Sequence, residues 1–108
     1  MSIVYIVQEP ANRNFTPAKK YGKLKSLVPD RVQVQISAAP VIRRLRGELK
    51  DFSNNDYLLL SGDPIIIGLA IVVAGENNMG RINVLKWDKQ EKTYNPIEID
   101  LYPKEGDK

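Results

Sequence analysis

The sequence predicts an α/β fold: about five strands in a mostly parallel sheet with a C-terminal antiparallel hairpin, accompanied by three helices. Three observations lead there. Runs of β-forming residues alternate with segments of helical periodicity up to about residue 80, the pattern left by parallel strands joined through crossover helices. Each helical segment opens on a hydroxyl or carboxylate residue with a proline close behind, at Thr16-Pro17, Ser37 to Pro40 and Asp63-Pro64. Two β-rich runs, Arg81 to Trp87 and Thr93 to Leu101, are then separated only by the short polar stretch DKQEK, which suits a hairpin. The order is β-α-β-α-β-α-β-β, and the main rival is an α+β sandwich with every helix on one face.

The first strand covers Ser2 to Gln8, where Ile3, Val4, Tyr5, Ile6 and Val7 form an unbroken run suited to a strand covered on both faces. EPANRN is a loop. Thr16 and Pro17 open a helix whose apolar positions are Ala18, Tyr21, Leu24 and Leu27 or Val28, with Lys19, Lys20, Lys23 and Lys25 facing elsewhere. Gly22 costs that helix about 1 kcal/mol, and Pro29-Asp30 breaks it. Arg31 to Ile36 then alternates Val32, Val34 and Ile36 against Gln33 and Gln35, a strand wet on one side.

Ser37 is placed to cap a second helix with the stripe Ala38, Val41, Ile42, Leu45 and Leu49, where Pro40 is tolerated only in the first turn. Arg43, Arg44, Arg46 and Lys50 line its outer side, and Arg44 stands four residues from Glu48 at pairing distance. After the loop FSNND, Tyr57 to Leu60 forms a short strand. Ser61-Gly62-Asp63-Pro64 is the sharpest local signal: Gly62 permits a tight turn, Asp63 caps, and Pro64 takes the first helical position. Ile65 to Ala74 is apolar all round, which predicts a helix buried over most of its circumference, by the sheet or by a second copy of the chain. Gly68 suits close approach by a neighbour, and Gly75 suits a C-terminal cap. In the hairpin, Ile82 and Val84 share one parity while Leu85 and Trp87 share the other, so either a bulge or two covered faces is required. Ile97, Ile99 and Leu101 alternate with Glu98 and Asp100, and Pro96 marks an edge strand or a break at its start. Residues 1–102 read as one α/β domain and 103–108 as a flexible tail.

The chain of 108 residues contains neither histidine nor cysteine. That excludes disulfides, thiolate nucleophiles, His-based triads and every Cys/His zinc pattern. MSIVYIVQEP has no basic leader and reads as a strand. The most apolar stretch, Pro64 to Gly75, reaches only about 18 Å as a helix against a bilayer core of about 30 Å. No membrane association is expected, and the cytoplasm is the default compartment.

Three constellations invite a functional reading. The turn Ser61, Gly62 and Asp63 could face a ligand, because a strand-to-helix junction offers free amides and a helix dipole. Against this, Asp63 would occupy those amides, Pro64 removes one, and neither GxGxxG nor GxxxxGK[ST] is present. Asp56, Asp63 and Glu76 match no metal loop, so no metal, cofactor or catalytic residue is assigned. The charge is more informative. Residues 1–50 hold ten Lys/Arg against three acidic residues, while 51–108 hold six against ten, and the whole is only +3. Arg13, Lys19, Lys20, Lys23, Lys25, Arg43, Arg44, Arg46 and Lys50 are thus a solvated face, a nucleic-acid surface, or a docking face for an acidic protein. Phe15, Trp87, Tyr94 and Tyr102 are the aromatic candidates for protein contact, with core packing as the competing role.

DYLLLSGDPIIIGLA at 56–70 and INVLKWDKQ at 82–90 together resemble segments of small bacteriophage-type proteins. The resemblance covers roughly the C-terminal half and brings no catalytic or binding residue with it. It implies a small accessory or host-directed protein in an infected bacterial cell. The expected function is a non-enzymatic, protein-binding modulator whose partner is acidic or a second copy of the chain. The alternatives are a nucleic-acid-binding accessory protein using the basic half, and a small nucleotide- or Mg-binding enzyme.

Overall fold

A computed structural model describes residues 1–104. Its elements are β1 (Ile3–Gln8), a 3₁₀ helix (Thr16–Tyr21), β2 (Lys23–Val28), α1 (Ala39–Glu48), β3 (Tyr57–Leu59), α2 (Pro64–Asn77), β4 (Arg81–Asp88) and β5 (Thr93–Asp100). The five strands form one mixed sheet in the order β2-β1-β3-β4-β5. The pairs β1–β2, β1–β3 and β3–β4 are parallel, and β4–β5 is antiparallel. This is the predicted α/β class. The tail predicted as flexible lies, from residue 105 on, outside the described residues.

Successive side chains of β1 leave the sheet on opposite faces, and both faces are covered. Tyr5 and Val7 join Leu27, Leu45, Leu49, Leu58, Ile66, Ile82 and Val84 in a core beneath α1 and α2. Val4 and Ile6 join Phe15, Ala18, Leu59, Leu85 and Tyr94 in a second core beneath the 3₁₀ helix. Two covered faces therefore account for the mixed parity of β4. Its ladder with β5 runs unbroken from Arg81↔Asp100 to Asp88↔Thr93. Pro96 sits within β5, an edge strand, where a missing N–H is tolerated.

Three elements differ from expectation. The first predicted helix stops at Tyr21, and Lys23 to Val28 turns into β2. Spacing by three places residues on one side of a helix but on opposite sides of a strand. Leu24 accordingly packs in the second core and Leu27 in the first. Gly22 marks the change, since a Cβ there would stand 2.6 Å from the Ser2 carbonyl oxygen, where β2 docks beside β1.

The predicted strand at 31–36 is instead an irregular segment, because β2 already occupies the place beside β1. Val32 and Val34 still turn toward the first core, while Ile36 is fully exposed. The backbone groups of the segment find side chains in place of a ladder. The Gln8 amide donates to the carbonyls of Pro29 and Val32 at 2.8 Å each.

The third difference concerns the helices. α1 takes Ala38 as its N-cap, with Ser37 Oγ accepting from the Ala39 amide at 3.3 Å. Arg44 donates to the Leu27 carbonyl, and Glu48 pairs with Lys25 at 3.2 Å, so the expected Arg44–Glu48 pair does not form. α2 continues past Gly75 to Asn77. Gly75 packs inward against Ile82, whereas Gly68 faces open space. Ile66, Ala70, Val73 and Ala74 are buried, but Ile65 and Val72 are more than half exposed. One sheet face covers only one side of a helix, and the outer side of α2 stays bare.

Candidate functional site

In an open α/β sheet, ligands settle outside the carboxyl ends of the strands where successive crossovers leave in opposite directions. Here that place lies between β1 and β3. The connection from β1 leads to β2 through the 3₁₀ helix on one face, and the connection from β3 leads the opposite way to β4 through α2 on the other face. The sequence-predicted turn of Ser61, Gly62 and Asp63 stands at this point; Gly62 and Asp63 line a crevice of about 540 Å³ with Gln8, Asp30 and residues 32–35, while Ser61 is buried beside it.

Its polar groups are turned on one another. Ser61 Oγ donates to the Gln8 carbonyl. Gln8 Oε1 accepts from the Asp63 amide at 2.8 Å, while its Nε2 holds the 29–32 segment. Asp63 Oδ1 accepts from the Ile65 amide at 2.8 Å, the cap expected of it. Gly62 adopts φ +110°, and a Cβ there would lie 2.3 Å from Gln8 Cβ. Two of the amides at this turn, those of Asp63 and Ile65, are thereby spent on Gln8 and Asp63. Asp56 stands at the opposite end of β3, where its carboxylate accepts from the amides of Ile3 and Ser53 at 2.9 Å each. The carboxylates of Asp56 and Asp63 therefore do not converge.

The basic residues scatter. Lys19 and Lys20 lie on the 3₁₀ helix, over one face of the sheet. Arg43, Arg44, Arg46 and Lys50 lie on or just beyond α1, over the other. Lys23 and Lys25 lie on β2, an edge strand, where lysines also discourage pairing with another chain. Lys25 bonds Glu48, Arg46 lies 3.6 Å from Glu76, and Arg44 holds a β2 carbonyl. The two runs do not share a helical face.

The four aromatic candidates divide into two pairs. Phe15 and Tyr94 are buried in the second core, and burial raises the Tyr94 phenol above its ordinary value. Trp87 is 40% exposed and rests its ring against Tyr94 with centroids 4.9 Å apart. Arg13 and Asn14 complete a small cleft with these two rings. Tyr102 is 75% exposed and leans over Gly80, at the far end of α2.

A further surface was hidden in the sequence. Val72, Met79, Leu101 and Tyr102 border one groove of about 400 Å³ along the C-terminal half of α2. All four side chains are largely exposed, Met79 at 84%. The helix ends with the Gly80 amide donating to the Gly75 carbonyl at 2.8 Å, a six-residue closure that puts Met79 in the left-handed region at φ +54°. Glycine takes that position without steric penalty, and any other residue pays about 1 kcal/mol or more. The signal available in the sequence was the helix itself. An all-round apolar helix has more apolar surface than one face of a sheet can cover.

No curated protein and no solved structure matches the chain. The family model described as phage Pam3 gp32-like protein matches residues 2–101, covering both cores and every strand. The chain therefore belongs to the phage Pam3 gp32-like protein family.

Proposed function

We propose that this phage-family chain is a small, non-enzymatic binding protein that docks on a protein partner in the infected bacterium through the C-terminal half of α2 and the Leu101-Tyr102 turn. Met79 carries the reading. A strained backbone position holds a large apolar side chain out in water, in line with Val72, Leu101 and Tyr102. Backbone strain is kept where it serves a site, and a contiguous exposed apolar patch marks an interaction surface. Charged residues flank the patch at Glu76 and Arg81, the polar rim around an apolar centre that protein interfaces show. The crevice at Gln8 and Asp63 argues in the same direction, since the Gln8 carboxamide and the amides of Asp63 and Ile65 are already bonded within the chain.

The test compares wild type with Val72→Arg and Met79→Gly as bait in host lysate, followed by titration of the purified retained protein. Both variants are expected to lose the retained protein at moderate salt, while Met79→Gly gains about 1 kcal/mol in a urea melt. Equal retention by Val72→Arg and wild type would overturn the proposal.

A further inference from the structure

The surface around Trp87 lies on the opposite face of the sheet from α2 and carries a different chemistry. Arg81, Asn83, Leu85 and Trp87 alternate along β4 toward the second core, away from α2. At the hairpin end of that row, Trp87 and Tyr94 form a tilted pair, and Trp87 is 40% exposed. Arg13 and Asn14, from the loop after β1, stand beside the pair and leave a cleft of about 180 Å³. That is below the size of pockets for drug-sized ligands, about 300 Å³ and more, and suits a single planar ring.

Arg13 in the cleft is joined by a second cation from the 3₁₀ helix. Lys20 Nζ is held at Thr93 Oγ1 at 3.0 Å, next to Tyr94. Lys86 shares the parity of Ile82 and Val84 and leaves the sheet on the other face, whereas Lys89 and Lys92 belong to the hairpin loop at the end of the row. Two carboxylates share the hairpin, Asp88 and Glu91. Asp88 is turned into its own loop, where its oxygens accept from the amides of Glu91 and Gln90 and from Asn95. Charge counted along the sequence misses this arrangement, because the fold joins Arg13 and Lys20 of the basic half to lysines of the acidic half.

We infer that this surface binds single-stranded nucleic acid, with one base stacking on Trp87 beside Arg13 and the neighbouring phosphates meeting Lys20 and Lys89. Base–aromatic stacking flanked by cations is the recurring solution for single strands, and it tolerates any base because every base has a flat face. A duplex keeps those faces inside its stack, so the single strand is the preferred form. The site is independent of the α2 surface and stands or falls without it.

Trp87 is the only tryptophan, so its emission reports the site directly. The intact protein is titrated with fluorescently labelled oligo-dT, with the matching duplex and with polyglutamate, following anisotropy and tryptophan emission together. The expected result is quenching and anisotropy that saturate together with oligo-dT, weaken as salt rises, and are weaker for the duplex and for polyglutamate. Trp87→Ala should weaken oligo-dT binding about tenfold or more, Trp87→Phe should keep most of it, and Arg13→Ala should reduce the salt dependence. Val72→Arg, on the opposite face, should change nothing. Absence of binding at low salt would overturn the inference. So would binding that leaves tryptophan emission unchanged, or polyglutamate binding as tight as oligo-dT.

Discussion

Gln8 shows how much one side chain can settle. It is 4% exposed at the carboxyl end of β1, and its amide joins that strand to the 29–32 segment and to the start of α2. A buried polar group with every partner in place is stable, and removing it strands those partners. Gln8→Ala is therefore expected to lower stability by about 1–3 kcal/mol. Faster amide hydrogen exchange over residues 29–34 and at Asp63 should accompany it. Unchanged exchange there would show that the segment is held by something else. None of this was legible beforehand, because Gln8 looked like the last polar residue of a strand. Asp63 was legible, since Asp-Pro after a glycine turn specifies a cap by local chemistry alone.

Elements were read well where one local rule dominated and poorly where tertiary pairing decided. β1, α1, β3, α2 and the hairpin follow from unbroken β-formers, helical stripes and proline-marked starts. β2 does not, because Lys23 to Val28 has a spacing compatible with either a helix or a strand, and only the free edge of β1 selects the strand. Once that edge is filled, the alternating segment from Arg31 to Ile36 has no ladder left to join. The 3₁₀ helix is short, and its hold on the sheet rests on Phe15 and Ala18, at 3% and 0% exposure. Phe15→Ala should therefore cost about 3–5 kcal/mol in chemical denaturation, whereas Trp87→Ala, at 40% exposure, should cost clearly less. Equal losses would mean that the two aromatic residues are buried alike. The outer side of α2 follows a related rule: hydrophobicity tells how much surface a helix would hide, and the sheet has only one side to offer it, which leaves Ile65 and Val72 more than half exposed.

At the scale of the molecule, each core contributes a tyrosine to the response at high pH. Tyr5 sits in one and Tyr94 in the other. Both phenols are raised above the ordinary 10.0, by burial first and, for Tyr5, by the carboxylates of Asp56, Asp51 and Glu48 as well. A raised phenol means that the folded state holds its proton longer than the unfolded chain does. The contribution is full below pH 10 and is lost as pH rises through the folded values. Stability should fall above about pH 10, with phenolate absorbance rising late for these two tyrosines. The double variant Tyr5→Phe/Tyr94→Phe should flatten that fall once its own neutral-pH stability is taken as reference; an identical slope would contradict the assignment.

The same scale separates the surfaces. In the crevice that this topology ordinarily opens to ligands, Gln8 and Asp63 are bonded to one another, and the exposed apolar groove lies instead at the far end of α2, beside Leu101 and Tyr102. The +3 total conceals +7 and −4 halves along the sequence, yet folding distributes the lysines and arginines over both faces and one edge of the sheet. The most direct measurement places a photo-crosslinking amino acid at position 72, on the bare side of α2, and at position 43, on the exposed side of α1, in the protein expressed in host cells. A discrete adduct with a protein chain from position 72, and none from position 43, is the predicted result. No adduct at 72, or equal adducts at both positions, would contradict docking through α2.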